Sequence, residues 1–318
     1  MKKQTKKLLI GIAVVMLMMT VLCFSASAAK EFTSGYYTCL VNDGKVTITA
    51  VDNTISGDVI IPSKLGGYNV TAIGSFAFLE CEDITSIVIP NSVTELGTGV
   101  FTMCYGLKSV TIPDSITNLP YGTFYYCESL QSIVIPNSVK ALGDAVFDGC
   151  TSLSSVTLPA GITQISHRSF ADCYSLKEIV IPDGVECIAF GAFMHCNSLE
   201  KITIPASVIE IDTSSSFSGC DNLKDVYFTG TQEEWTSIVA DSSDFLLNAN
   251  IHFEYADIEI PEAPSTEPEQ PDTPEDPSAD CSHLCHKSGF MGFIWKIINF
   301  FSKLFKTNPV CACGAAHY

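Results

Sequence analysis

Basic residues are scarce in this chain: 17 Lys and Arg stand against 35 Asp and Glu, a formal charge of −18. A phosphate backbone needs a basic face to displace its counterions, so nucleic acid is excluded as a partner. Catalytic signatures are absent too. There is no G-x-S-x-G, no H-E-x-x-H, no Walker loop and no G-x-G-x-x-G. His167, His195 and His252 are isolated, and no carboxylate and nucleophile stand beside them at a recognisable catalytic spacing. Glu95, Asp114, Asp144 and Asp183 fall where turns are expected, and Asp is common in turns for the turn's own sake. No paired-carboxylate signature appears, so an enzyme is not expected, and no cofactor is expected for the body of the chain. No LPxTG-like sorting motif is present. Charged residues make up only 16% and hydrophobic ones 47%, so most of the chain can bury a core and disorder throughout is excluded. The length of 318 residues allows about two domains.

Residues 1–28 have the three parts of a secretory signal peptide. Lys2, Lys3, Lys6 and Lys7 precede an apolar run from Leu8 to Phe24, and Ala26-Ser27-Ala28 supplies the small-x-small cleavage pattern. The apolar run falls short of the ~20 residues that a membrane span needs. Leu22, before Cys23, is too bulky for a lipoprotein signal. Removing the four lysines takes the charge from −18 to −22. An exported protein is expected, secreted or held at the cell envelope.

A 23-residue period runs through the middle of the chain. Pro90, Pro113, Pro136, Pro159, Pro182 and Pro205 keep it. So do Phe78, Phe101, Phe124, Phe147, Phe170 and Phe193, and Phe217 follows after 24. Cys81, Cys104, Cys127, Cys150, Cys173 and Cys196 take the same step, with Cys220 again after 24. Three residue types on one period mark a repeat architecture. In the unit from Leu107, Val110-Thr111-Ile112 alternates as a short strand does, and Pro113 closes it. Asp114-Ser115 then supplies turn chemistry. Ile116 and Leu119 face inward again, and Phe124, Cys127 and Leu130 share one face of an expected short helical turn. About seven inward side chains cannot offset the entropy of ordering a whole coil, so the coils must stack. The expected strands then lie about 4.8 Å apart in one parallel column.

The pattern S-I-V-I-P-N-S-V-x-x-L-G-x-x-x-F-x-x-C-x-x-L from Ser132 to Leu153 resembles the BspA-type leucine-rich repeat of bacterial and protozoan surface proteins. The resemblance runs over roughly residues 32–255. It implies a repeat solenoid of about seven 23-residue coils, capped at both ends, with a helical tail beyond. The organisation expected is a signal peptide (1–28), an N-terminal β cap and first coil (29–82), leucine-rich repeats (83–226) and a C-terminal cap (227–255). The opening cap carries Asn42-Asp43-Gly44 as a hairpin turn, and one unit has five extra residues around Gly66-Gly67-Tyr68. The closing cap holds Val226-Tyr227-Phe228, a short helix at Gln232 to Ile238 with Trp235, and a strand at Ile251-His252-Phe253.

The column of thiols reads as buried, reduced side chains acting as small hydrophobes. Equivalent Cβ atoms about 4.8 Å apart exceed the ~3.8 Å of a disulfide. The outward strand position reads Val88, Thr111, Val134, Thr157, Val180, Thr203, Tyr227, with no catalytic group. Tyr105, Tyr121, Tyr125, Tyr126 and Tyr174 fall in neighbouring coils near the expected helical turn. Aromatics so grouped can anchor a protein or glycan partner, or merely cover the coil edges.

Residues 256–280 carry six Pro and nine acids with no Lys or Arg, the composition of an extended, self-repelling linker. In the tail (281–318), residues 290–306 form an amphipathic helical pattern. Lys296, Asn299, Ser302, Lys303 and Lys306 occupy one arc, and Phe290, Phe293, Ile294, Ile297, Phe301 and Leu304 lie on the wide apolar remainder. Trp295 falls within the polar arc. Such a helix lies on a membrane surface, docks on a partner or another copy, or folds back on the solenoid. Cys281, Cys285, Cys311 and Cys313 bracket it, with His286 and His317 as substitutes. These groups suit a zinc site, and in an exported protein the four thiols equally suit two disulfides. The tail is similar to C-terminal segments of other clostridial-type exported repeat proteins.

Overall fold

The computed structural model describes residues 29–212, 215–239 and 249–253. Residues 1–28, read as a signal peptide, and the expected linker and tail lie outside the described residues.

The chain enters through an antiparallel meander of Lys30–Ser34, Tyr37–Asn42 and Lys45–Val51. Asp43 and Gly44 join its second and third strands with φ of 49° and 73°. Two left-handed residues make a two-residue turn that matches strand twist, as Asn42-Asp43-Gly44 leads one to expect. The third strand then pairs in parallel with Tyr68–Ile73, which converts the cap into a solenoid. The inserted residues fold out as a small hairpin, Lys64–Leu65 against Tyr68–Asn69, across Gly66 and Gly67.

From there the chain coils with the 23-residue step. The first parallel column has nine strands, from Gly57–Ile60 to Asn250–Phe253, because each cap adds a rung to the seven expected coils. Its register moves by one repeat at a time: Ile87 faces Val110, Ile133 faces Val156, Ile179 faces Ile202, and Val226 faces Ile251. A second parallel column accompanies it, made of two-residue strands such as Asn118–Leu119 beside Ala141–Leu142 and Gln164–Ile165 beside Cys187–Ile188. The sequence pointed to one column, since two residues are too few to show alternation.

The third side is a run of tight turns where a short helical turn was expected. Phe101 N–H donates to Thr123 O at 2.9 Å, Phe124 to Val146 at 2.9 Å and Phe147 to Ser169 at 2.9 Å, each across to the next coil. Intervening donors close locally, as in Tyr125 N–H to Gly122 O at 3.0 Å. Two residues per coil take left-handed φ, for example Gly122 and Tyr126, Arg168 and Asp172, and Gly191 and His195. A helix would spend its donors on itself; these turns spend half of them on the neighbour. All three sides of the coil are therefore ladders.

The phenylalanine rings of successive coils stack at centroid distances of 5.2–5.5 Å from Phe78 to Phe217. Beside them the column thiols from Cys104 to Cys220 each reach one coil back. Cys127 Sγ donates to Phe101 O at 3.1 Å, Cys150 to Phe124 at 3.2 Å and Cys173 to Phe147 at 3.3 Å. Every such carbonyl also accepts its own coil's Cys N–H, as Phe124 O does from Cys127 at 3.1 Å. Seven column thiols are free and buried. Burial pushes the Cys81 thiol up to about 12, and Cys104, Cys127 and Cys173 well above the usual thiol range. At the far end Thr231 and Glu234 form a capping box on the helix Gln232–Ile238, and Trp235 packs on Phe228 at 5.2 Å.

Two outcomes follow from the thiol column. Cys127→Ala costs about 1–3 kcal/mol in urea unfolding, since it opens a void and orphans a carbonyl lone pair, whereas Cys187→Ala, half-exposed off the column, costs under about 0.5 kcal/mol. Equal losses would contradict the role given to the column. The thiols ionise near pH 9 when unfolded and higher when folded. Their contribution is therefore full below pH 9 and is lost as pH rises above it. The reduced protein should weaken steeply on the alkaline side, with a shallower slope in Cys127→Ala.

Candidate functional site

The turn side carries a network of charged and aromatic side chains. Arg168, at φ 53°, lies between coils and grips Asp148 with two hydrogen bonds, Nε to Oδ2 at 2.7 Å and Nη2 to Oδ1 at 3.2 Å. Asp148 is buried, with only 3% of its side chain exposed. Burial pushes its carboxyl up, and the Arg168 bonds oppose that shift. Nη2 also reaches Asp172 Oδ2 at 3.3 Å. On its other oxygen Asp172 meets His195 Nδ1 at 2.9 Å and accepts from the Tyr174 hydroxyl at 3.3 Å. One coil along the same surface, His167 Nδ1 lies 3.2 Å from Asp144.

The five tyrosines singled out from the sequence lie in and around this network. Tyr125 and Tyr126 meet edge to face at 4.6 Å. Tyr126 is left-handed and lays its ring over Gly149, where an added Cβ would come within 3.0 Å of it. Tyr105 and Tyr174 hold the same place in their coils, three 23-residue steps apart, on either side of the coil that carries Tyr126. Burial, then the carboxylates of Glu128, Glu82 and Glu80, holds the Tyr105 phenol above its ordinary value. Burial and Asp148 do the same to Tyr121 and Tyr125. For Tyr174 the Asp172 carboxylate is the larger cause. Among them the Tyr174 hydroxyl donates to Asp172.

Arg168, Asp148 and Asp172 were not singled out beforehand, and His195, read from the sequence as isolated, meets Asp172 in the fold. A signal was present, since Asp144 and His167, and Asp172 and His195, are each one period apart. On the first strand column Val88 and Val134 are exposed, Thr203 is buried, and Tyr227 stacks on His252 at 4.5 Å. His252 Nε2 lies 2.8 Å from Asp225.

Among the described residues no three His, Cys, Asp or Glu side chains converge as a metal site requires. Cys281, Cys285, Cys311 and Cys313, His286 and His317, and the helix from Phe290 to Leu304 lie outside the described residues. The turn side offers donors, acceptors and ring faces, with Asp144, Asp148 and Asp172 engaged in ion pairs and Glu82 and Glu128 exposed.

Three hydrogen-bonded ladders around a stacked Phe and Cys core define a leucine-rich-repeat solenoid. The chain matches the BspA type leucine rich repeat region in six copies, over residues 59–173 and 140–255, and it belongs to that family. No curated protein matches it. Among solved structures it is similar to a leucine rich cell surface protein from Faecalibacterium prausnitzii, at 21% identity, with 69% of this chain and 100% of that one covered and a TM-score of 0.35. It is also similar to a leucine rich repeat protein of T. pallidum, at 25% identity, coverage of 63% and 86% and a TM-score of 0.44. A Bacteroides ovatus leucine-rich repeat protein matches at 22% identity, coverage of 73% and 79% and a TM-score of 0.42.

Arg168→Met leaves the Asp148 carboxylate buried without its partner. The loss should be about 2–3 kcal/mol at neutral pH, below the ~3–5 kcal/mol of a fully buried pair because Arg168 is partly solvated. Without Arg168 the Asp148 carboxyl rises further. A raised carboxyl contributes its stability below the ordinary carboxylate range and loses it as pH rises through the folded value. The variant should match the parent in acid and fall behind as pH climbs. Urea titrations across that range check this, and a pH-independent loss would refute it.

Proposed function

We propose that the protein is a non-catalytic scaffold, exported and held at the cell envelope, that binds a protein or glycan partner through its turn side in adhesion or cell–cell contact. The observation that carries this reading is the tyrosine group of Tyr105, Tyr121, Tyr125, Tyr126 and Tyr174, gathered around the Arg168 network on one surface. Large amphipathic rings held by a rigid backbone are typical anchors of interfaces. Membership of a repeat family of binding scaffolds supports it, and so does the signal-peptide pattern of residues 1–28. The tail docks the scaffold at the envelope, with zinc or disulfides at Cys281, Cys285, Cys311 and Cys313 closing it around its helix.

A second reading treats the solenoid as a spacer whose tail drives membrane contact or self-assembly. The wide apolar arc of residues 290–306 favours it. No helix among the described residues is long and apolar enough to cross a membrane.

In a pull-down of the mature protein against bacterial and host surface extracts, Tyr105→Ala with Tyr174→Ala should lose the captured partner while the melting temperature holds. Retention of the partner would overturn the assignment to this surface. In liposome co-sedimentation the mature chain should pellet with vesicles and a chain ending at residue 280 should not. Equal behaviour of the two would remove the docking role of the tail.

A further inference from the structure

Charge is segregated between the sides of the coil. The turn-side segments, residues 74–83, 97–106, 120–129, 143–152, 166–175, 189–198 and 212–221, hold nine Asp and Glu, no Lys, and Arg168 alone. That arginine is engaged by Asp148 and Asp172. The lysines of the repeats stand elsewhere, with Lys108, Lys177, Lys201 and Lys224 beside the first strand column. Glu82, Glu128 and Asp144 are exposed on the turn side. At its N-terminal end Asn53, Thr54, Glu80, Glu82 and Asp83 line a hollow.

The ring faces lie among these acids. Tyr105, Tyr121, Tyr125 and Tyr126 are half-buried, and Tyr174 and Phe190 are exposed. An aromatic face attracts a cation through its quadrupole, and a carboxylate beside it adds Coulombic attraction. Guanidinium and ammonium groups gain from both; a neutral sugar gains from neither charge term. The field is already felt within the protein, where three glutamates help to hold up the Tyr105 phenol. The acids from Glu80 to Asp172 span four coil steps, about 19 Å at the spacing of paired strands. A single small cation cannot bridge that length, whereas an extended peptide of about six residues can.

We infer that the aromatic and acidic turn side, from Glu80 to Tyr174, is a docking surface for a Lys- or Arg-rich segment of a protein partner. This rests on the reading of the turn side as the binding surface and names the chemistry of what it takes.

The test is binding of a deca-arginine peptide to the mature full-length chain, with chitohexaose as a neutral glycan probe. Tyr105→Ala with Tyr126→Gly removes two rings at constant charge, and glycine suits the left-handed φ of 57° at Tyr126. Glu80→Gln with Glu82→Gln removes charge from the surface, and Glu267→Gln with Glu269→Gln removes the same charge from the linker. Each turn-side pair should weaken peptide binding about tenfold, the linker pair should leave it unchanged, and binding should fall as salt rises. A linker pair as damaging as the turn-side pairs would overturn the inference, because the peptide would then be following net charge alone. Binding of chitohexaose in place of the peptide would overturn it in favour of a glycan. If the peptide fails to bind while the tyrosine pair still abolishes capture from surface extracts, the binding surface stands and the basic partner is refuted.

Discussion

On each of its three sides a coil sends backbone donors to the coil beside it. The strand columns do this in the usual parallel manner. The turn side does it through alternate N–H groups, Phe124 to Val146 and Phe147 to Ser169 among them. A single coil leaves those donors unsatisfied and its Phe ring unstacked, so it gains little by ordering alone. Stability is then a nearest-neighbour property, and the caps matter because an array without them ends in open ladders.

The thiol column belongs to the same logic. A turn that spends every second N–H on its neighbour brings two donors to each phenylalanine carbonyl from Phe78 to Phe193, one backbone and one thiol. Cysteine fits there because it is small and apolar enough for the core and still carries a weak donor. Reading these residues as small hydrophobes captured their burial and missed the bond, because donor and acceptor lie 26 residues apart.

Much of the architecture was legible: the stacking and the Phe column from the period, and the Asp43-Gly44 hairpin and the closing helix with Trp235 from the cap residues and the family resemblance. What was hidden is local. The second strand column is two residues wide and shows no alternation. The left-handed positions are filled by Gly122, Tyr126, Arg168, Asp172 and His195, types with no common preference, so no pattern betrays them. The tyrosine group was legible because aromatics recur in adjacent coils. The Arg168 network was not, because Arg168 and Asp148 are 20 residues apart, out of step with the period, and only folding brings them together.

The most direct measure of neighbour-dependent stability is equilibrium urea unfolding of nested arrays that share the N-terminal cap. Residues 29–129, 29–175 and 29–255 would be compared, with an uncapped piece such as 107–129 as the single coil. The account predicts an unfolded single coil, and unfolding midpoints and slopes that rise with each added coil. A single coil that folds alone, or midpoints that ignore array length, would contradict it.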